Sequence, residues 1–330
     1  MPALPRLIIT AGDPAGIGPE VTVRALAQPG VREVAEIAVT GDPDDLRRTA
    51  ERLGLPAPSR IEPAGDAGNV RLGQLSAHGG AVAVAAIKRA VELILAGRYD
   101  ALVTAPINKE ALKLAGFGWP GHTEMLADLS GASEVRMLLL TDRLKVVHVT
   151  THRSLRSAIE GATRDRILRT IELSNQGARQ LGYERPRIGV AGLNPHAGEG
   201  GLFGDEEARE IRPAVNDARA TGIDATGPWP PDTLFWRAGR GEFDLVVAMY
   251  HDQGHIPVKL GGFDEGVNVT LGLPFPRASV DHGTAFDIAG KGIARWQSMA
   301  AAIRVGARLA AAERRLAGRD ARPGVDWGST

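Results

Sequence analysis

The sequence predicts an α/β protein whose mixed sheet is divided over two lobes. Short apolar runs alternate with amphipathic stretches along most of the chain, the pattern of βαβ units. Two β-rich runs, 136–141 and 144–151, are separated only by Asp142-Arg143, which reads as a hairpin and makes the sheet mixed. At 330 residues the chain is long for one hydrophobic core.

The elements follow in order. Leu7–Thr10 is a short buried strand that runs into Gly12-Asp13-Pro14-Ala15-Gly16-Ile17-Gly18-Pro19-Glu20 and then a helix through Ala27, with Pro19 in its first turn. Val34–Thr40 is a second strand and Asp44–Leu53 a helix. The stretch 56–80 is rich in Pro, Gly and Ala and reads as irregular. Helix Ala81–Ala96, strand Asp100–Thr104, turn Ala105-Pro106 and helix Lys109–Ala115 come next. After the hairpin, Arg164–Leu181 places Ile167, Leu168, Ile171, Ala178 and Leu181 on one helical face. Arg187–Leu193 and Asp244–Tyr250 are strands. The glycine-rich, polar stretch 261–292 reads as a cleft lining, and a last helix covers Ala294–Ala312 before a frayed tail beyond Ala317.

Composition narrows the function. The formal net charge is zero, so no general electrostatic attraction draws the chain to nucleic acid or an anionic membrane, although a local basic pocket stays open. There is no cysteine, which excludes disulfides, thiolate metal sites and a cysteine nucleophile. The longest apolar stretch, 81–95, is broken by Lys88, Arg89 and Glu92 and is amphipathic rather than membrane-spanning. The N-terminus carries no signal-peptide pattern, and cytoplasm is the expected compartment.

Three histidines stand just past apolar runs that read as buried strands. They are His152 in Val149-Thr150-Thr151-His152, His196 in Asn194-Pro195-His196-Ala197-Gly198-Glu199, and His251 in Met249-Tyr250-His251-Asp252-Gln253-Gly254-His255. Strand ends are where α/β proteins build sites, and three neutral imidazoles can hold a divalent cation. Their spacing matches no zinc motif, so each also reads as a structural histidine.

Other residues carry paired readings. The Gly12–Gly18 loop is either a phosphate cradle or a ligand-free tight turn; it lacks both the dinucleotide fingerprint and a Walker lysine. His122 and Thr123 are an anion donor and a hydroxyl contact, or Thr123 is a helix N-cap. Lys259, Asn268 and Arg277 suit a carboxylate or phosphate, or are solvated surface groups. Asp252 and Asp281-His282 are candidates for acid–base work, and Asp281 alternatively caps a helix starting near Thr284.

Together these segments resemble the 4-hydroxythreonine-4-phosphate dehydrogenase family of vitamin B6 synthesis. The likeness rests on Gly12–Glu20, Gly121-His122-Thr123-Glu124, Leu193–Glu199, Tyr250–Gly254, Gly266-Val267-Asn268 and Asp281–Thr284, and runs from residue 8 to about 293. It implies an isopropylmalate-dehydrogenase-like fold of two α/β/α lobes with a cleft between them. One lobe is expected from residues 1–125 with 275–330, the other from 126–274, carrying the metal ligands and dimer contacts. It implies a homodimer with its site at the interface. It implies a divalent metal (zinc, magnesium or cobalt) on His152, His196 and His251, and substrate contacts from His122, Thr123, Lys259, Asn268 and Arg277. NAD or NADP is the implied cofactor, with its binding residues unassigned, and Asp252 and Lys259 are the catalytic candidates.

The expected reaction oxidises the third-carbon hydroxyl of 4-hydroxythreonine 4-phosphate and then removes carbon dioxide. One departure opens an alternative. The family's biosynthetic branch usually has leucine where this chain has His255, followed by Ile256-Pro257. His255 with Pro230-Pro231-Asp232-Thr233 resembles a sister branch acting on D-erythronate or D-threonate 4-phosphate. A dihydrodiol dehydrogenase branch ranks third because it lacks His122-Thr123-Glu124. A metal-dependent hydrolase or aldolase, and a sugar-phosphate binding protein, are the competing classes.

Overall fold

The computed structural model describes residues 4–262 and 266–316. The elements are β1 (Arg6–Thr10), α1 (Gly18–Leu26), β2 (Glu36–Gly41), α2 (Pro43–Leu53), β3 (Ile61–Pro63), α3 (Ala77–Leu95), β4 (Ala101–Thr104), α4 (Lys109–Leu114) and α5 (His122–Ser130). The β5 (Arg136–Leu140) and β6 (Lys145–His148) hairpin follows, then α6 (Leu155–Glu160), α7 (Arg164–Gln180), β7 (Ile188–Ala191), α8 (Arg212–Ala220), β8 (Ala225–Trp229) and α9 (Pro231–Ala238). The chain ends with β9 (Leu245–Ala248), α10 (His251–Gly261), β10 (Val267–Leu271), β11 (Arg277–Val280) and α11 (Gln297–Leu316).

All eleven strands form one mixed sheet in the order β3-β2-β1-β4-β11-β10-β5-β6-β9-β7-β8. Parallel ladders occupy both ends, and the antiparallel run β11-β10-β5-β6 joins them. Strand alternation sorts the side chains onto two faces. One face is mostly apolar: Leu7, Val103, Leu138, Val147 and Val269 pack in a single core beneath α1, α7, α8 and α11, with Arg136 buried at its margin against Thr170 of α7. The opposite face is apolar only toward its ends. Ile8 and Leu102 meet α3, α4 and α5 there, while Leu139 and Val146 meet α9 and α10. Between these two clusters the same face presents Thr104, Asn268, Thr270, Arg277, Ser279 and His148. Helix α10 packs over His148 at one end of this polar strip, and Asn268, Arg277 and Ser279 reach the cavity.

Several sequence expectations need correction. The stretch 56–80 contains β3, and α3 starts a turn earlier than its apolar period suggested. Ser76 caps that turn by accepting from the Gly79 amide, a signal the adjacent Gly79-Gly80 pair obscures. The stretch 261–292 is not merely a cleft lining; it supplies the central strands β10 and β11. Thr123 is not an N-cap, because α5 begins at His122 with Gly121 before it. Asp281 caps no helix; it pairs with Lys259 at 3.4 Å. The tail beyond Ala317, read as frayed, lies outside the described residues.

The Gly12–Gly18 loop is a tight turn. Four of its amides are bonded inside the protein: Asp13 donates to the Pro106 carbonyl, Ala15 to Asp13 Oδ1, Gly16 to the Asp13 carbonyl and Ile17 to the Thr284 carbonyl. A Cβ at Gly18 would lie 2.3 Å from the Ala11 carbonyl oxygen, so the glycine permits close packing rather than anion approach.

Candidate active site

A cavity of about 560 Å³ lies over the polar strip. Its first wall comes from the N-terminus of α5 and from β10 and β11. Arg277, 2% exposed, is held by Thr104 Oγ1 (3.2 and 2.6 Å) and Thr270 Oγ1 (2.9 Å). Burial lowers its pKa to about 9, which still leaves a cation at neutral pH. His122 Nε2 and Asn268 Oδ1 are buried in this wall without hydrogen-bond partners. Burial first, and then the Arg277 and Lys109 charges, push the His122 pKa well below its ordinary value. The wall therefore offers one anchored positive charge and two unsatisfied polar atoms to an anionic or hydroxylated ligand. Thr123 and Lys109 also line it.

The second wall carries His148 and His152. The strands β6, β9 and β7 are adjacent and parallel, so the segments after them leave one edge of the sheet. His152, His251 and His196 follow those strands in turn. His152 and His251 come close, with ring centroids 5.6 Å apart. Burial, then Lys109 and His251, lower the His152 pKa and keep the ring neutral, the form that ligates a cation. His196 stands elsewhere, 62% exposed in its side chain and outside the cavity lining. Among the described residues of one chain, no three histidine, aspartate or glutamate side chains converge as a metal cage.

Two local features suit the histidines to ligation nonetheless. Asp252 Oδ1 lies 2.6 Å from His251 Nδ1, and Glu199 Oε2 lies 2.9 Å from His196 Nδ1. A carboxylate in that position holds the proton on Nδ1 and leaves Nε2 free. Backbone strain also collects here: His152, His196, Ala197 and Glu199 all have positive φ, at 50°, 53°, 55° and 44°. Non-glycine residues hold such angles only where surrounding structure enforces them, commonly at functional sites.

Asp252 and Lys259 do not line the cavity in a single chain; Asp252 contacts the His251 ring and Lys259 pairs with Asp281. Sequence reasoning missed Thr104 and Thr270, which anchor Arg277, and His148, whose position in an apolar strand concealed it. The polar parity of β4, β10 and β11 could have revealed the threonines.

The sequence profile described as "Pyridoxal phosphate biosynthetic protein PdxA" matches residues 25–306. The chain belongs to the PdxA family. The D-threonate 4-phosphate dehydrogenase of Salmonella typhimurium is 49% identical over 321 residues, covering 92% of this chain and 98% of that protein. The 4-hydroxythreonine-4-phosphate dehydrogenase of Beijerinckia indica is 50% identical over 321 residues, covering 92% and 94%. The crystal structure of 4-hydroxythreonine-4-phosphate dehydrogenase from Klebsiella pneumoniae superposes with a TM-score of 0.85 at 47% identity, covering 93% of this chain and 98% of that one. This PdxA-family chain is thus an oxidoreductase with the isopropylmalate-dehydrogenase-like fold expected from its motifs, and a dehydrogenase family implies a nicotinamide cofactor. Among the described residues no helix is long and apolar enough to cross a membrane.

Proposed function

We propose that the chain is a metal- and NAD(P)-dependent dehydrogenase that oxidises the third-carbon hydroxyl of a four-carbon, 4-phosphorylated acid. 4-Hydroxythreonine 4-phosphate is the leading substrate. D-Threonate or D-erythronate 4-phosphate is the second reading, favoured by His255 and by relatives of both kinds at about equal identity. The observation that carries the proposal is the two-walled cavity, with an anchored cation and unpartnered polar atoms facing a neutral imidazole wall.

Arg277, His122, Thr123 and Asn268 bind the phosphate and carboxylate ends and fix the reacting carbon. His152, His251 and, from a second copy of the chain, His196 would hold the divalent cation, for which imidazole donors favour zinc or cobalt over magnesium. When bound, the cation would acidify the substrate hydroxyl and the nicotinamide would supply the hydride acceptor. With the acid held by these residues, the hydroxyl proton would pass to a base and the carbon–hydrogen bond would give its hydride to that acceptor, leaving a 3-oxo acid able to lose carbon dioxide. Asp252 acts by fixing the His251 tautomer, so its loss lowers metal affinity, whereas loss of Lys259, the candidate proton carrier, lowers kcat.

A homodimer completes the set. Exposed apolar residues surround the histidine segments: Leu155 and Ile159 on α6, Leu202 and Phe203 beside His196, and Ile256 and Leu260 on α10. Exposed apolar side chains of this kind suit a second copy, which would also cover His196. The two-lobe division, 1–125 with 275–330 against 126–274, and a cytoplasmic location belong to the same proposal.

The deciding experiment mixes the protein with a divalent metal, NAD or NADP, and each phosphorylated acid in turn, and follows the absorbance of reduced nicotinamide. Metal-dependent reduction with one acid is expected, and its identity selects the branch. Turnover without nicotinamide reduction would instead favour the hydrolase or aldolase class.

A further inference from the structure

We propose that His148 and His255 are positioning residues, a buried imidazole pair that holds the His251 ring from behind. The proposal rests on the reading of His251 as a metal ligand. His148 ends β6 and is 1% exposed; His255 lies one turn into α10 and is 7% exposed. Their rings are 4.6 Å apart, with His255 Nδ1 3.1 Å from His148 Nε2. His255 in turn stacks on His251 at 3.6 Å between centroids and 12° between planes. The stack fixes the plane of His251 while Asp252 fixes its tautomer.

On this reading the proton positions along these rings are assigned from the acceptors they face. The His251 carbonyl, 3.2 Å from His255 Nδ1, can only accept, so His255 carries its proton on Nδ1. That N–H also points to His148 Nε2, which must then accept. His148 places its own proton on Nδ1, toward the Met137 carbonyl at 3.5 Å. The order is one-way: His255 donates to His148, and His148 donates to the floor of the sheet. Helix α10 is shaped for this contact, since a Cβ on Gly254 would stand 2.4 Å from His148 Nε2. A leucine in place of His255 could fill the space but could not be locked by His148.

The test uses the full-length protein and zinc as probe. Zinc affinity by calorimetry and steady-state kinetics are measured for His148→Leu, His255→Leu, the double variant and His251→Ala. Each leucine variant should lose roughly ten-fold or more in zinc affinity and kcat, the scale seen when partners of a ligand are removed, with KM nearly constant. The double variant should be no worse than the weaker single one, because the pair acts as a unit. His148→Gln, whose amide oxygen can accept from His255, should recover most of the loss.

If His251→Ala keeps its zinc, the ligand reading fails. If His251→Ala loses zinc while the leucine variants keep both affinity and kcat, the positioning role is overturned; losses that multiply in the double variant also overturn it. Should the leucine variants not fold, long-range proton–nitrogen spectra of the metal-free native protein decide. Nδ1–H on both His148 and His255 is expected, and Nε2–H on His148 would refute the pair.

Discussion

Arg277 is bound twice before any ligand arrives. Thr104 and Thr270 hold its guanidinium across three strands, so the charge is pre-aimed and loses little freedom on binding. Arg277→Gln should raise KM for the phosphorylated acid by roughly 30-fold or more, the scale of a truncated charged hydrogen bond, and Arg277→Lys should recover little, because an ammonium cannot span both threonines and an oxyanion. Steady-state kinetics would show it; an unchanged KM would remove Arg277 from the substrate site. A second residue carries a pH signature. Tyr99 donates to Glu62 at 2.5 Å, and burial first, then that bond, raise its pKa to about 12. The raised value means that the contribution is complete below pH ~10 and is lost as pH climbs toward ~12, by up to about 3 kcal/mol. Tyr99→Phe should therefore be less stable than the native chain at neutral pH by about 1–2 kcal/mol, with the gap closing over that alkaline window in denaturant melts. At this scale His122, Asn268 and Arg277 were legible, since polar residues set among glycines and prolines betray a site. The pairing of Lys259 with Asp281 was not, because tertiary approach sets it, whereas the Asp252 contact to His251 joins sequence neighbours.

Helix α10 shows how far element-level reading extends. Its sequence holds Gly254 and Pro257, both unfavourable in a helix interior, and no periodic apolar face announces it. Packing overrides propensity: Gly254 admits His148, and Val258 joins the core beneath. Gly254→Ala should gain about 1 kcal/mol from helix propensity alone, yet the clash with His148 and Val146 makes a net destabilisation of about 2 kcal/mol the expected outcome in denaturant titration. A neutral or stabilising result would mean that His148 does not pack as described. The strands β1, β2, β4, β7 and β9 and the hairpin β5-β6 were readable because each is an uninterrupted β-rich run. β10 and β11 were not: one face of each is polar, and that polarity serves the cleft rather than solvent. β3 is three residues long and contains a proline, too little signal for any periodicity.

For the whole molecule, the separation of His196 from the His152–His251 pair has a quantitative outcome if the site is shared between two copies. His196→Ala and His251→Ala should each be inactive alone. Mixed in equal amounts and allowed to exchange, about half the dimers are hybrids with one intact site of two, so about a quarter of native activity should return. No recovery, with exchange verified by labelled subunits, would place all three histidines in one chain's site or remove one from it. The mixed α/β class was legible from the alternation of elements and the hairpin. The joining of all described strands into one sheet was not, because strand order is a property of the folded topology.

That continuity also governs how the cleft can close. Backbone ladders from β4 through β11, β10 and β5 to β6 run beneath the cavity without a break. A clamshell on a loose linker swings freely; here backbone hydrogen bonds tie the two parallel ends of the sheet together. Relative movement of those ends has to twist hydrogen-bonded ladders, whose natural twist sets the direction of least resistance.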